Sequence, residues 1–162
     1  MVSTALDSLN PPPSSKLLGW HLLDARPADG WIRIGFDGKR DFCNPAGFVQ
    51  GGILSAMLDD TMGPAVFTMT DGKLYTATIT MTVNFLAPAK PGPITGEANV
   101  TQLGKTVAFM EGRLMAEDGT VLATATASAR LVETAKAIRQ EGGEGTTNSS
   151  LGLVASVRAS AV

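Results

Sequence analysis

Histidine and cysteine are nearly absent from the chain. Its 162 residues hold one of each, His21 and Cys43. A single cysteine closes no intrachain disulfide, so nothing ties the chain to an oxidising compartment. One His and one Cys cannot build the usual zinc cage or an H-E-x-x-H pair, and no metal is expected. Charge is also scarce: Asp, Glu, Lys and Arg make up 17%, and 13 basic against 15 acidic side chains leave a net charge of −2. Nucleic-acid binders usually show a basic stripe, so no nucleic-acid partner is expected. No apolar run approaches the roughly 18 residues that span a bilayer. The start Met1-Val2-Ser3-Thr4 has neither the basic nor the apolar region of a secretory leader. The expectation is a soluble cytoplasmic protein with no membrane partner. No G-x-S-x-G is present, which argues against a serine hydrolase. Any chemistry then falls to carboxylates, hydroxyls, amides and the backbone.

What the chain does have is apolar residues, 44% of the total. That suffices for one domain with a sizeable core. Residues 1–15 read as a weakly structured, flexible segment, because Pro11-Pro12-Pro13 ends any helix begun near Leu6 and Leu9. Extended chain follows through Trp20-His21-Leu22-Leu23, then a turn at Arg26 to Gly30. A strand carries Trp31, Ile32, Ile34 and Phe36. Asp41 to Gly52 is loop-like. Residues 53–67 are good helix formers and apolar around most of the circumference, which predicts a buried helix. Gly63-Pro64 is expected to kink it or loosen its last turn.

After Asp71-Gly72 the period changes to two. Tyr75, Ala77, Ile79, Met81, Val83 and Phe85 alternate with four threonines and Asn84. This predicts one long strand with an apolar face and a hydroxyl-rich face. Strands over about 94–102, 105–116 and 121–132 follow, the last two joined at Asp118-Gly119. Residues 133–162 read as a tail: a short helix over 133–141, a flexible Gly/Ser/Thr-rich linker, and a small apolar end. One buried helix needs cover on all sides. The economical class is α+β, a curved antiparallel sheet wrapped around one long central helix, spanning residues 16–132.

The central helix also carries the chemistry. Gly52 and Asp59 are seven residues apart, within about 20° of each other on the helix surface. Ser55 and Gly63 share that side, which leaves open volume beside a carboxylate. Asp60 points elsewhere, among Ile53, Ala56, Met57 and Pro64. Unpaired N–H groups near Gly51, Gly52 and Ile53 form a positive end where a carbonyl oxygen can gain charge. Asp59, two turns along, can activate water or attack the carbonyl. Met57, Met62, Phe48 and Phe67 fit an apolar pocket, or simply the core.

The run from Asn44-Pro45-Ala46-Gly47 through Phe48-Val49-Gln50-Gly51-Gly52 to Asp59 resembles a known signature. It is the loop and helix of hotdog-fold acyl-CoA thioesterases, in the branch with the phenylacetate-pathway and hydroxybenzoyl-CoA enzymes. That signature is an Asn, a Gly, His-Gly-Gly, and an acid seven places after the second Gly. The likeness continues through Val83 to Lys90 and Gly104 to Phe109, and covers roughly residues 16–132. It implies hydrolysis of an acyl-CoA thioester to a carboxylic acid and CoA. Asp59 would be general base or nucleophile, and the N–H of Gly52 or a neighbour such as Gly51 the oxyanion donor. Gln50 and Asn44 would position the carbonyl.

The resemblance places Thr78 at a position that often lines the site from the neighbouring subunit, with Thr76 the fallback; a plain strand role fits both. It places Gly104-Lys105-Thr106 near the CoA moiety, where Lys105 could meet a phosphate, with Lys90 a weaker candidate; either lysine could equally be a solvated turn residue. No cofactor is implied beyond the CoA of the substrate. The family forms homodimers, often paired into tetramers. One departure is plain: Gln50 stands where the commonest signature has His, and Gln does not titrate. Two competing readings are a non-catalytic acyl-CoA-binding protein and a hotdog enoyl-thioester hydratase or dehydratase. The latter usually needs a His beside an acid, and only His21 is available.

Overall fold

A computed structural model describes residues 4–137. Six antiparallel strands form one sheet: β1 (His21–Arg26), β2 (Trp31–Gly38), β3 (Leu74–Phe85), β4 (Gly92–Leu103), β5 (Val107–Ala116) and β6 (Val121–Glu133). Their spatial order is β1-β2-β4-β5-β6-β3, so β1 and β3 are the two edges. Helix α1 (Pro13–Leu17) precedes the sheet, α2 (Gly51–Met69) lies between β2 and β3, and α3 (Thr134–Ala137) follows β6. The curved sheet wraps α2, which touches all six strands. Met57, Leu58, Met62, Ala65 and Val66 of α2 are fully buried against Ile32, Ile34, Leu114 and Ala123 of the sheet. That explains a helix apolar nearly all round. This is the hotdog architecture. Of the expected tail, only Thr134–Ala137 is seen as helix; the linker and apolar end lie outside the described residues.

Three local expectations change. Pro64 neither ends nor frays α2, which runs on to Met69. A proline removes the N–H that would bond the carbonyl four residues back, here Asp60. The Trp20 indole Nε1–H donates to that Asp60 carbonyl at 3.0 Å, so the freed acceptor is satisfied from outside the helix. The proline run likewise starts a helix rather than stopping one. Pro13 is the first residue of α1, where a missing N–H costs nothing. With a 3-10 turn at Ala5–Ser8 closed by a reciprocal Thr4–Asp7 capping box, residues 4–15 are largely folded.

The third change is in β3. Its pairing with β6 jumps from Thr78–Ala129 to Thr80–Ser128, leaving Ile79 as a bulge that is 58% exposed. A bulge shifts the alternation by one. Before it Thr76 and Thr78 face α2; after it Met81 and Val83 pack on the core. The two faces seen in the sequence therefore exchange midway along the strand.

On the outer face of the sheet, Arg33 of β2, Glu97 of β4 and Arg113 of β5 stand in register. Each guanidinium takes one Glu97 oxygen, with Nε donors at 2.8 and 3.0 Å. Burial alone would raise the Glu97 pKa. Hydrogen bonds and charge from Arg113 and Arg33 outweigh it and hold the carboxyl below the ordinary Glu value. A depressed folded pKa gives stability that is present at neutral pH and lost as acid protonates the group. Glu97 is 7% exposed but its partners are about half exposed, so the interaction is screened. Glu97→Gln should cost about 1–2 kcal/mol at pH 7. The deficit should close as pH falls below the ordinary Glu range, read by urea denaturation of both proteins across pH.

Candidate active site

Gln50 is the N-cap of α2, with extended backbone. Its side-chain Oε1 accepts from the N–H of Gly52 at 2.7 Å and of Ile53 at 3.3 Å. The Gly52 N–H, expected as the main oxyanion donor, is therefore already engaged. The Gly51 N–H one residue earlier has no hydrogen-bond acceptor among the described residues. It is the free donor at the positive end of the helix. The Phe85 ring lies against Gly51, where an added Cβ would stand 3.0 Å from Cζ. Asn44 shapes the loop leading in: its Oδ1 accepts from the N–H groups of Ala46 (3.0 Å) and Phe48 (3.2 Å). Both amide side chains, expected to position a carbonyl, spend their oxygens on local backbone.

Asp59 lies two turns along α2, exposed, with its Oδ1 accepting from Thr78 Oγ1 at 2.8 Å. Thr78 meets Asp59 within its own chain. The bond depends on the Ile79 bulge, because a regular β3 could not keep Thr78 on the helix side and Met81 in the core. The same face opens into a cleft of about 660 Å³, lined by Asp59, Asp60, Gly63, Pro64, Thr76 and Thr78 and by residues of the N-terminal segment. Thr76 thus lines this cleft too. Asp60 lies off the Asp59 face, as its helical position implied, yet it still lines this cleft. Its Oδ2 is buried without a partner, and its pKa is raised by burial and by the Asp59 charge, against a Ser15 hydrogen bond that lowers it. Of the four expected pocket residues only Phe67 lines the cleft; Met57 and Met62 are in the core.

One distance decides how the parts combine. Gly51 and Asp59 are eight residues apart, about 12 Å of helix rise. A carboxylate leaning back toward the N-terminus still leaves roughly 9 Å or more. One thioester carbonyl spans about 7 Å between a hydrogen-bond donor and an attacking oxygen. Within a single chain, Asp59 cannot attack a carbonyl held at Gly51 directly; acting on a water, whose oxygen adds about 3 Å, it is at the limit of reach.

The other candidates lie apart. Lys105 is exposed in the β4–β5 turn, where Gly104 N–H bonds the Val107 carbonyl and the Thr106 carbonyl accepts from Leu131 N–H. Lys90 is exposed at the other end of the sheet, near Asp118 and next to Ala89, whose carbonyl takes the Val49 N–H. Neither lysine lines the cleft. His21 is on β1, the edge opposite β3, with Nδ1 2.9 Å from the Gly19 carbonyl oxygen. Cys43 is a half-buried free cysteine whose backbone forms an isolated β-bridge with Val49 and whose thiol lies 3.9 Å from the Lys39 carbonyl oxygen. Among the described residues no three His, Cys, Asp or Glu gather to hold a metal, and no helix is long and apolar enough to cross a membrane.

Residues 46–123, which include Gln50, Gly51, Asp59 and Thr78, match the model of the thioesterase superfamily. A candidate esterase of Saccharolobus solfataricus is 33% identical over 96 residues, 59% of this chain and 68% of that protein. The chain belongs to the thioesterase superfamily. Solved structures agree. A candidate thioesterase related to phenylacetic acid degradation, from Ralstonia eutropha JMP134, is 34% identical and superposes with a TM-score of 0.69, covering 77% of this chain and 95% of that one. A thioesterase family protein from Silicibacter pomeroyi is 27% identical with a TM-score of 0.71, covering 80% and 96%. As a member of this superfamily the chain is a thioester hydrolase, and its site is to be understood in terms of attack on a thioester carbonyl.

Proposed function

We propose that the protein is an acyl-CoA thioesterase whose active site is completed by a second copy of the chain. One copy supplies Asp59, oriented by Thr78; the other supplies the Gly51 N–H as oxyanion donor. The observation that carries this is the rise of about 12 Å between the two groups on one helix, too long for direct attack within one chain. Edge strand β3 supports the pairing. Its 12 residues have no partner on one side, and it exposes Tyr75, Ile79 and Phe85. A long edge with exposed apolar side chains is normally covered. A homodimer joined along β3 is thus part of the proposal, and a tetramer would pair two of them.

In the reaction, Asp59 removes a proton from water or attacks the thioester carbon itself. Negative charge develops on the carbonyl oxygen and is met by the Gly51 N–H of the partner subunit and the field of its helix. Collapse expels the CoA thiolate: when water attacks, this leaves the carboxylic acid directly, and when Asp59 attacks, it leaves an acyl–Asp59 anhydride that water then hydrolyses to the acid and free Asp59. Lys90, beside the helix N-terminus, is the better placed of the two lysines for a CoA phosphate, since Ala89 is bonded to the loop that ends in Gly51. The test is thiol release from a panel of acyl-CoAs with the purified protein. Turnover supports the reading. Tight binding of acyl-CoA with no release of CoA favours the binding-protein alternative and overturns it.

A further inference from the structure

The cleft beside Asp59 is walled on its far side by the chain's own start. The turn at Ala5–Ser8 contacts α2, and Leu6 and Leu9 line the cleft together with Trp20, Phe67 and Tyr75. This segment is held in place from within: Ser15 is buried and bonds Asp60, and the Trp20 indole bonds the Asp60 carbonyl. The volume, about 660 Å³, lies in the range of small-molecule sites. The charge pattern is one-sided: two carboxylates, Asp59 and Asp60, line the cleft, and among the described residues no lysine or arginine does. Phosphates of CoA would be repelled there. What remains of a thioester substrate once CoA is excluded is the acyl group.

We propose that this cleft is the acyl pocket, that the N-terminal segment forms its wall, and that it admits uncharged apolar acyl groups while rejecting those with a carboxylate at the far end. The proposal rests on Asp59 as the reacting group, because that fixes which end of the substrate enters. Each methylene buried against Leu6, Leu9 and Phe67 gains about fourfold in binding. A terminal carboxylate meets Asp60, whose buried Oδ2 has no partner to offset a further negative charge.

Thiol release from acetyl-CoA, octanoyl-CoA and octanoyl-CoA carrying a terminal carboxylate tests this. We expect kcat/KM for octanoyl-CoA to exceed that for acetyl-CoA at least tenfold and that for the carboxylated ester about a hundredfold. Leu6→Ser with Leu9→Ser should lower the ratio of octanoyl-CoA to acetyl-CoA turnover about tenfold. Asp60→Asn should raise the ratio of the carboxylated ester to octanoyl-CoA about tenfold. Equal rates for the three esters, or variants that change all of them alike, overturn the proposal.

A second readout needs no catalysis. The chain has two tryptophans, Trp20 in the cleft and Trp31 outside it. In Trp31→Phe, the neutral amide octanamide should change Trp20 fluorescence saturably, and the two serine substitutions should weaken that binding about tenfold. If no thioester is cleaved but this titration saturates, the pocket stands and the chemistry fails. A silent titration overturns the pocket.

Discussion

Asp59→Asn is expected to cut thiol release by about 10³-fold with the fold intact. The side chain is exposed, and its one hydrogen bond in the structure is the one it accepts from Thr78. Asn keeps an Oδ1 that can accept the same bond, so stability should stay within about 0.5 kcal/mol. The variant loses the negative charge that attacks or takes a proton, an effect typically of 10²–10⁴-fold for a general base and more for a nucleophile. Thr78→Ala leaves the carboxylate charged but unheld and should cost about tenfold, mostly in kcat; Thr78→Ser should restore it. Steady-state kinetics with a thiol reagent, beside thermal melts, decide the matter. Full activity in Asp59→Asn would remove this residue from the chemistry, and attention would pass to Asp60, the other carboxylate in the cleft.

The architecture was legible because two periodicities are strong. Residues 53–67 have no polar face, and in one domain such a helix must be enclosed. Residues 75–132 alternate or turn in the manner of a meander, and only a curved sheet can enclose a single helix. What stayed hidden depends on contacts distant in sequence. Nothing in Gly63-Pro64 reveals that Trp20 will satisfy the freed Asp60 carbonyl. The Thr-rich stretch 76–82 reads equally well in either register, so the bulge at Ile79, and with it the Thr78–Asp59 bond, leaves no trace in composition. Helical spacing places Asp60 off the Asp59 face correctly. It cannot say that residues 4–18 will fold over that side and make one cleft of both. A proline run read as a terminator is, at Pro13, an initiator; Leu6 and Leu9 just before it were the visible sign that this segment packs. The limit on direct attack within one chain was present in the numbers from the start, since eight residues of helix rise about 12 Å. It became decisive when Gln50 was found on the Gly52 N–H, which leaves Gly51 as the donor.

That assignment leads to a substitution that separates chemistry from stability. Gly51 is the first residue of α2, the position where proline is best tolerated, and Gln50 before it has φ −66° and ψ 139°, the extended backbone proline demands of its neighbour. Gly51→Pro deletes one N–H that bonds nothing in the described structure; the Phe85 ring must give by a few tenths of an ångström. The melting temperature should shift by only a few degrees, while kcat falls about 10²–10³-fold, the usual cost of one oxyanion donor. Gly52→Pro should instead destabilise, because its N–H caps the helix through Gln50. Mixing then tests the composite site. Each homodimer of Gly51→Pro, and each of Asp59→Asn, has two defective sites. A heterodimer of the two pairs an intact Gly51 with the intact Asp59 of the other copy at one site and both lesions at the other. Random reassortment makes half the dimers mixed, so activity should return to about a quarter of wild type. If mixing restores nothing while subunits demonstrably exchange, both groups act within one chain, Asp59 through a water, and the composite site is overturned.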